Sequence, residues 1–327
     1  MKASSALNKI VSWLGLFFFV LAAYMIYRQL SKYSMEELKN ALLSIPLDNL
    51  LYALCASFTG YVALSTYDYL ALKYIQRKLA AWKWILTGFV GFSISNNAGH
   101  AIVSGGTVRY RFYSRWGISP GDIVKMVTFS GFTYLVACFF LIIIGYVLTP
   151  DHAFGGNDST KMSTFITMIL SVIGLAVYLW ASIYYKKDLV IKGVDFRMPN
   201  FKLALEQVFI GSIDIVMASL VLYSVLICFV EIDFVTFMGA FIIAQVLGVY
   251  SQVPGGLGVF ELVFSNILPG QDNQAILFGA LIAYRIIYYL LPLVLSGIVL
   301  LRDWYESFRK EDDTPVEAEA SPAAEKR

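Results

Sequence analysis

Charge and reactive side chains are scarce in this chain. Of 327 residues only 15% are Asp, Glu, Lys or Arg, and there are two histidines (His100 and His152) and three cysteines (Cys55, Cys138 and Cys228). The histidines stand far apart, and no HExxH, GxSxG or phosphate-binding GxxxxGK[ST] segment occurs, so the motifs of zinc proteases, serine hydrolases and nucleotide-driven machines are missing. There is no CxxC pair, and each cysteine lies inside an apolar run. They read as small buried apolar residues rather than a disulfide framework. No catalytic residue, cofactor or metal ligand is assigned, and nucleic acid is not an expected partner.

Long polar linkers are lacking as well. The chain is 58% hydrophobic with a mean hydropathy of +0.67, far more apolar than a water-soluble domain. An all-α, multi-pass membrane protein is expected. A bilayer core of about 30 Å takes about 20 apolar residues per helix, and runs of that kind lie at 10–27, 48–72, 122–149, 162–185, 204–230 and 274–301. The first follows Lys2 and Lys9 without a small-residue cleavage site, so it is read as an uncleaved span. Residues 1–309 form one membrane domain, and 310–327, rich in Glu, Pro and Ala, read as a disordered tail.

Two further apolar regions, 84–107 and 234–268, are interrupted. The first contains Ser95-Asn96-Asn97-Ala98-Gly99-His100 and then Gly105-Gly106; the second contains Gln252-Val253-Pro254-Gly255-Gly256-Leu257-Gly258. Irregular backbone at membrane depth survives only where protein or water covers it, so paired breaks mark a cavity or pathway. Lys73, Arg77, Lys78 and Lys83 precede the first broken region, and Arg109, Arg111, Arg115 and Lys125 follow it. Basic loops face the cytoplasm, so 84–107 is expected to dip in and return. The segment around Lys186, Lys187, Lys192, Arg197 and Lys202 is expected on the same side. Glu231, Asp233 and the Pro269–Asn273 turn are expected outside, which makes 234–268 a hairpin entering from the opposite face. Span, hairpin, span then recurs in 48–149 and 204–301 as an inverted repeat, with both termini cytoplasmic; the alternative is two spans that cross fully, with an atypical charge in one loop.

Ionisable residues within such spans are costly and face partners or a pathway. Asp68, Glu206, Asp214, Glu261 and Arg285 qualify. Asp68 and Asp214 occupy the spans preceding the two hairpins, as repeat equivalents would. Each acid reads as half of a structural ion pair with an Arg, as an interfacial residue outside the core, or as part of a polar site. Arg109 and Arg111 stand beside Gly105-Gly106, read as a turn whose bare backbone admits a ligand while guanidinium groups grip phosphate. Arg115 reads as an interfacial snorkelling base. His100 reads as a hydrogen-bonded turn residue or a proton carrier. Asn96, Asn97, Gln245 and Gln252 are suited to satisfying unwound backbone or headgroup oxygens. The 21 tyrosines are read mostly as apolar-span and interface residues.

The segments Gly105-Gly106-Thr107-Val108-Arg109-Tyr110-Arg111-Phe112-Tyr113-Ser114-Arg115, Val253-Pro254-Gly255-Gly256-Leu257-Gly258-Val259-Phe260-Glu261 and Ala283-Tyr284-Arg285-Ile286-Ile287-Tyr288-Tyr289-Leu290-Leu291-Pro292 resemble the transmembrane region of lysylphosphatidylglycerol synthetases. The layout is similar to that of stand-alone YbhN-like inner-membrane proteins of bacteria. The resemblance spans about residues 10 to 305 and implies a flippase-like fold, with Arg109, Arg111, Glu261 and Arg285 on the family's motifs. The chain stops near Arg327, and synthetase activity is therefore not carried over. The expected function is translocation of a phospholipid headgroup across the bacterial inner membrane, with Asp68, Arg109, Arg111, Asp214, Glu261, Arg285, Gly105, Gly106, Gly255 and Gly256 lining the site. Alternatives are an intramembrane enzyme acting on lipid-linked phosphate, with Glu261 or Asp214 as base beside His100, or a scaffold for a lipid synthase. Candidate partners are membrane phospholipid, such a synthase and a second copy of the chain.

Overall fold

The structure is a computed structural model; it describes residues 36, 39–40, 43–98, 101–148, 158–191, 193–251, 254–256, 258–267 and 274–312. Its helices are α1 (Leu47–Tyr74), α2 (Ala81–Ala98), α3 (Ala101–Tyr113), α4 (Pro120–Leu148), α5 (Asp158–Tyr184), α6 (Phe201–Leu226), α7 (Phe234–Tyr250), α8 (Val259–Ile267), α9 (Gln274–Tyr284) and α10 (Leu291–Asp312). A π-helical turn, Arg285–Leu290, joins α9 to α10 without a break.

Helix ends follow local chemistry. Asn200 caps α6 by accepting from the Leu203 amide, and Asp233 caps α7 by accepting from the amides of Val235 and Thr236. Pro120 opens α4, at the position where a missing amide hydrogen is harmless. Five stretches among the described residues are long and apolar enough to cross a membrane: Leu47–Tyr74, Pro120–Leu148, Thr164–Tyr184, Phe201–Leu226 and Gly279–Glu306. They match five of the expected runs. The sixth, 10–27, lies outside the described residues, as does the tail beyond 312. Large apolar side chains cover the outside of the bundle, among them Phe58 and Val62 on α1, Val177 and Trp180 on α5 and Ile298 on α10. So much exposed apolar surface needs lipid rather than water against it, and the chain is a multi-pass helical membrane protein.

One small departure from an all-helical reading occurs: Leu189–Ile191 and Val194–Phe196 pair as an antiparallel ribbon between α5 and α6. Gly193 turns it with φ 78°.

The two interrupted regions are helical hairpins. In the first, Val90, Ile94 and Ala98 of α2 pack with Val108 and Phe112 of α3, so α3 runs back along α2. In the second, Phe241 meets Phe260 and Phe237 meets Phe264, at ring centroid distances of 5.5 Å in both pairs, so α8 runs back along α7. The Pro254–Gly256 turn at the tip of the second hairpin packs against α2 of the first.

Contacts also sort the ends of the bundle. Lys73 at the end of α1 pairs with Glu206 near the start of α6 at 2.5 Å. Lys83 at the start of α2 lies over Trp116, just past α3, and Arg111 and Arg115 reach Asp303 on α10. The open end of the first hairpin therefore shares this basic end. At the other end Asn49 donates to the Ser224 carbonyl at 2.7 Å, and Tyr223 packs on Phe234, where α7 begins.

Candidate functional site

Arg109 stands on α3 one turn beyond Gly105, and it is 2% exposed. Its Nη2 and Nε donate to Asp68 Oδ1 at 2.7 and 2.9 Å, and Tyr113 Oη donates to Asp68 Oδ2 at 2.8 Å. The guanidinium also lies 4.5 Å from the centre of the Phe92 ring. Both charges are buried, and each is satisfied by the other.

This corrects part of the sequence reading. Gly105 and Gly106 are not a turn; they lie inside α3, which begins at Ala101. A Cβ on Gly105 would collide with Ser95 Oγ and lie 2.9 Å from Arg109 Nη1, so this glycine lets the hairpin limbs close. Arg109 and Arg111 do not form a joint clamp either. Residues two apart on a helix face different ways, and Arg111 turns out to Asp303, 2.9 Å from Nε to Oδ2. Arg115 joins Asp303 at 2.6 Å.

The tip of the second hairpin is built differently. Gly255, Gly256 and Gly258 have φ of 62°, 61° and 83°, a left-handed path that side chains resist. Gly256 also lies against Gly248, whose Cα is 3.2 Å from where its Cβ would be. Glu261, in the first turn of α8, reaches back so that Oε2 accepts from the Gly258 amide at 2.7 Å, as one half of a capping box does. Its Oε1 accepts from Arg285 Nε and Nη2 at 2.8 and 2.6 Å. Arg285 Nη1 donates to the Gly255 carbonyl at 2.5 Å, and the guanidinium lies 4.6 Å from the Tyr289 ring centre. Here an ion pair grips the irregular turn itself.

Between these clusters lies Asp214 on α6, 4% exposed. Tyr67 Oη donates to its Oδ2 at 2.9 Å and Tyr288 Oη to its Oδ1 at 3.4 Å. Tyr67 precedes Asp68 in the chain, and Tyr288 stands three residues beyond Arg285, so the three acid centres are linked through these two phenols.

The π-helical turn follows from Pro292. Proline has no amide hydrogen and clashes with the carbonyl four residues back, which is that of Tyr288. Tyr61 Oη donates to that carbonyl at 3.0 Å, Ser57 Oγ to the Ile287 carbonyl at 3.2 Å and Asn97 Nδ2 to the Tyr289 carbonyl at 3.2 Å. Asn97 thus serves the freed backbone, and it ties the tip of the first hairpin to the middle of the last span.

Glu206 pairs at the surface with Lys73 and stands apart from these centres. His100, His152 and Gln252 lie outside the described residues, and Gln245 is half-buried. Among the described residues no group of His, Cys, Asp and Glu could hold a metal ion. Cysteine burial differs from expectation: Cys138 is buried, but Cys55 and Cys228 are exposed. Tyrosines supply the part of the site that carries no sequence motif. Tyr61, Tyr67, Tyr113 and Tyr288 hold buried acids or carbonyls, and spacing could have flagged two of them, Tyr113 four residues after Arg109 and Tyr288 three after Arg285.

The bundle thus holds two helical hairpins that touch, one of them with a buried ion pair on its glycine turn. Comparison with known proteins gives the family. Residues 12–296 match the family described as the lysylphosphatidylglycerol synthase TM region, and the chain belongs to that family. It is 31% identical to protein slr0712 of Synechocystis sp. over 88% of this chain and 89% of that one. It is 30% identical to inner membrane protein YbhN of Escherichia coli over 90% and 91%. Phosphatidylglycerol lysyltransferase of Staphylococcus xylosus is 28% identical over 86% of this chain, but only 32% of that longer protein is covered.

Proposed function

We propose that the chain is a lipid translocase of the bacterial inner membrane, carrying a phospholipid headgroup through the polar centre of the bundle while the acyl chains stay in the bilayer. In this reading the helical hairpins are re-entrant, they enter from opposite faces as halves of an inverted repeat, and six spans leave both termini in the cytoplasm. Family membership supports it, because relatives carry the names of an inner membrane protein and of an enzyme that acts on phosphatidylglycerol.

The observation that carries the reading is the Arg285–Glu261 pair on the glycine turn, at the place where the two hairpins touch. Arg285 is the phosphate-binding group, and Glu261 is its counterion when no headgroup is present. Glu261 meets the two donors Nε and Nη2 with one oxygen, Oε1, whereas a headgroup phosphate offers them two oxygens and so a bidentate grip. Arg109 and Asp68, each fully engaged, brace the first hairpin and contact no substrate. Arg111 belongs to the basic end, where it steers anionic lipid.

Purified full-length protein in vesicles of phosphatidylglycerol and phosphatidylethanolamine, with fluorescent phosphatidylglycerol as the probe, tests this. Wild-type protein exposes inner-leaflet probe to an external quencher, Arg285→Ala loses this activity, and Arg285→Lys keeps part of it. Full activity in Arg285→Ala would remove that residue from the site, and no protein-dependent exposure at all would overturn the translocase reading.

A further inference from the structure

Asp68 and Asp214 occupy comparable places, each on the span before a hairpin, yet their surroundings differ. Asp68 has a guanidinium and a phenol. Asp214 has two phenols, one of them at 3.4 Å, and among the described residues it has no Lys, Arg or His within ion-pair distance. A carboxylate in low dielectric without a counterion is several kcal/mol worse than in water, and two phenolic hydrogen bonds offset only part of that. Protonation removes the charge.

The groups that face Asp214 are all neutral. Tyr61 and Tyr67 come from α1, Tyr134 and Cys138 from α4, and Tyr288 from the π-helical turn, with Tyr284 and Tyr289 beyond it. From α7 come the apolar Met238 and Ile242, which pack with Ile215. The nearest charge along the π turn, Arg285, is engaged by Glu261 and Gly255. The buried hydroxyls of Tyr134 and Tyr284 face the Cys138 thiol and the Tyr289 phenol.

We propose that Asp214 is a proton-binding site inside the bundle, linked through Tyr288 and the π-helical turn to Arg285 and both hairpins, so that transport is driven by proton uptake and release. On uptake an O–H bond forms on the Asp214 carboxyl, which then only weakly holds Tyr288. On release to water that bond breaks, and the carboxylate draws in the Tyr67 and Tyr288 hydroxyls. Tyr288 shares a short π turn with Arg285, and its neighbour Tyr289 is held by Asn97, so a shift at Asp214 is felt at both hairpin tips. Single π turns inside α-helices recur at functional sites, which suits such a relay. The coupling to transport rests on the translocase reading; the proton site does not.

The test therefore has two arms on the full-length protein in lipid vesicles. Infrared difference spectra recorded across a pH titration are expected to show the carbonyl stretch of a protonated carboxylic acid, lost in Asp214→Asn and kept in Glu261→Gln. If Asp214→Asn does not assemble, Tyr67→Phe and Tyr288→Phe should each shift that band and its midpoint. A band that is absent, or unmoved by these variants, overturns the proton site. In the second arm an imposed proton gradient should bias movement of the fluorescent phosphatidylglycerol, with loss of the bias in Asp214→Asn. Probe movement indifferent to the gradient, with the infrared band present, overturns the coupling alone. Absent probe movement, with the band present, sinks the translocase reading and the coupling with it while leaving the proton site standing.

Discussion

The Arg109 guanidinium of α3 meets the Asp68 carboxylate of α1, 2.7 Å from Nη2 to Oδ1, with 2% and 0% of the two side chains exposed. Removing one partner strands the other charge. Arg109→Ala is therefore expected to destabilise the protein by about 3–5 kcal/mol, whereas an Asp68→Asn, Arg109→Gln double variant should recover part of the loss. Reversible unfolding in detergent micelles measures both. A loss below about 1 kcal/mol, the range of surface pairs, would mean the pair is open to water.

Gly105 and Gly106 are adjacent in one helix and should respond oppositely to the same substitution. A methyl at Gly105 strikes Ser95 and Arg109, whereas at Gly106 its nearest neighbour is Val127 Cγ2 at 3.9 Å. Gly105→Ala should cost about 1–3 kcal/mol through overpacking. Gly106→Ala should be neutral or stabilise by about 0.5–1 kcal/mol, because alanine is the better helix former. Thermal unfolding of the two variants side by side decides it.

How far the sequence could be read depended on which physical signal each feature carries. Spans were legible because a run of apolar residues has few other uses, and α1, α4, α5 and α6 fall within a few residues of the runs. The second hairpin was legible because Pro254-Gly255-Gly256 breaks a helix wherever it stands. For the first, Ser95–His100 rightly signals the interruption, but two glycines in a row also signal a turn, and Gly105 and Gly106 sit in a helix, where packing against Ser95 decides. Arg285 with Glu261 was found as two costly charges, but their pairing spans 24 residues, and no local rule reaches that far. Asp68 was flagged without its partner for the same reason. The tyrosines carry no signal of their own, because in a membrane protein a phenol has a bland use at every interface, and only the fold shows Tyr67 and Tyr288 aimed at Asp214.

At the basic end Asp188 accepts from Arg197 Nε at 2.7 Å and Nη2 at 2.9 Å beside the β-ribbon. This hydrogen bonding holds the Asp188 carboxyl below its ordinary value of 3.8. A folded value lower than the unfolded one means that the contribution is present above 3.8 and disappears as pH falls through the folded value. Arg197→Gln should move the Asp188 midpoint up towards 3.8, measured by carbon NMR on labelled aspartate. Both side chains are exposed, so added salt should shrink the effect.

Sidedness can be read from the native cysteines. Cys228 is exposed just past the end of α6, Cys55 is exposed on the flank of α1, and Cys138 is buried. In the proposed orientation a membrane-impermeant maleimide added to intact cells should label Cys228 alone, since lipid covers Cys55 and protein covers Cys138. Labelling of Cys228 only in inverted vesicles would turn the bundle over, and the direction assigned to each hairpin with it.

The π-helical turn offers the last check, because its three carbonyl partners come from two other elements. Tyr61 Oη supplies the hydrogen bond that Pro292 denies to the Tyr288 carbonyl. Tyr61→Phe leaves a buried acceptor unsatisfied and should cost about 1–3 kcal/mol. Adding Pro292→Ala restores an amide at the required position, so the last span can close as an α-helix and regain that stability. Closing it rotates Arg285 relative to Tyr288 and draws the guanidinium off Glu261. The double variant should therefore unfold later than Tyr61→Phe and yet translocate the fluorescent lipid less well than wild type. If stability and transport recover together, the π turn is only a by-product of proline, and the link from Tyr288 to Arg285 carries no function.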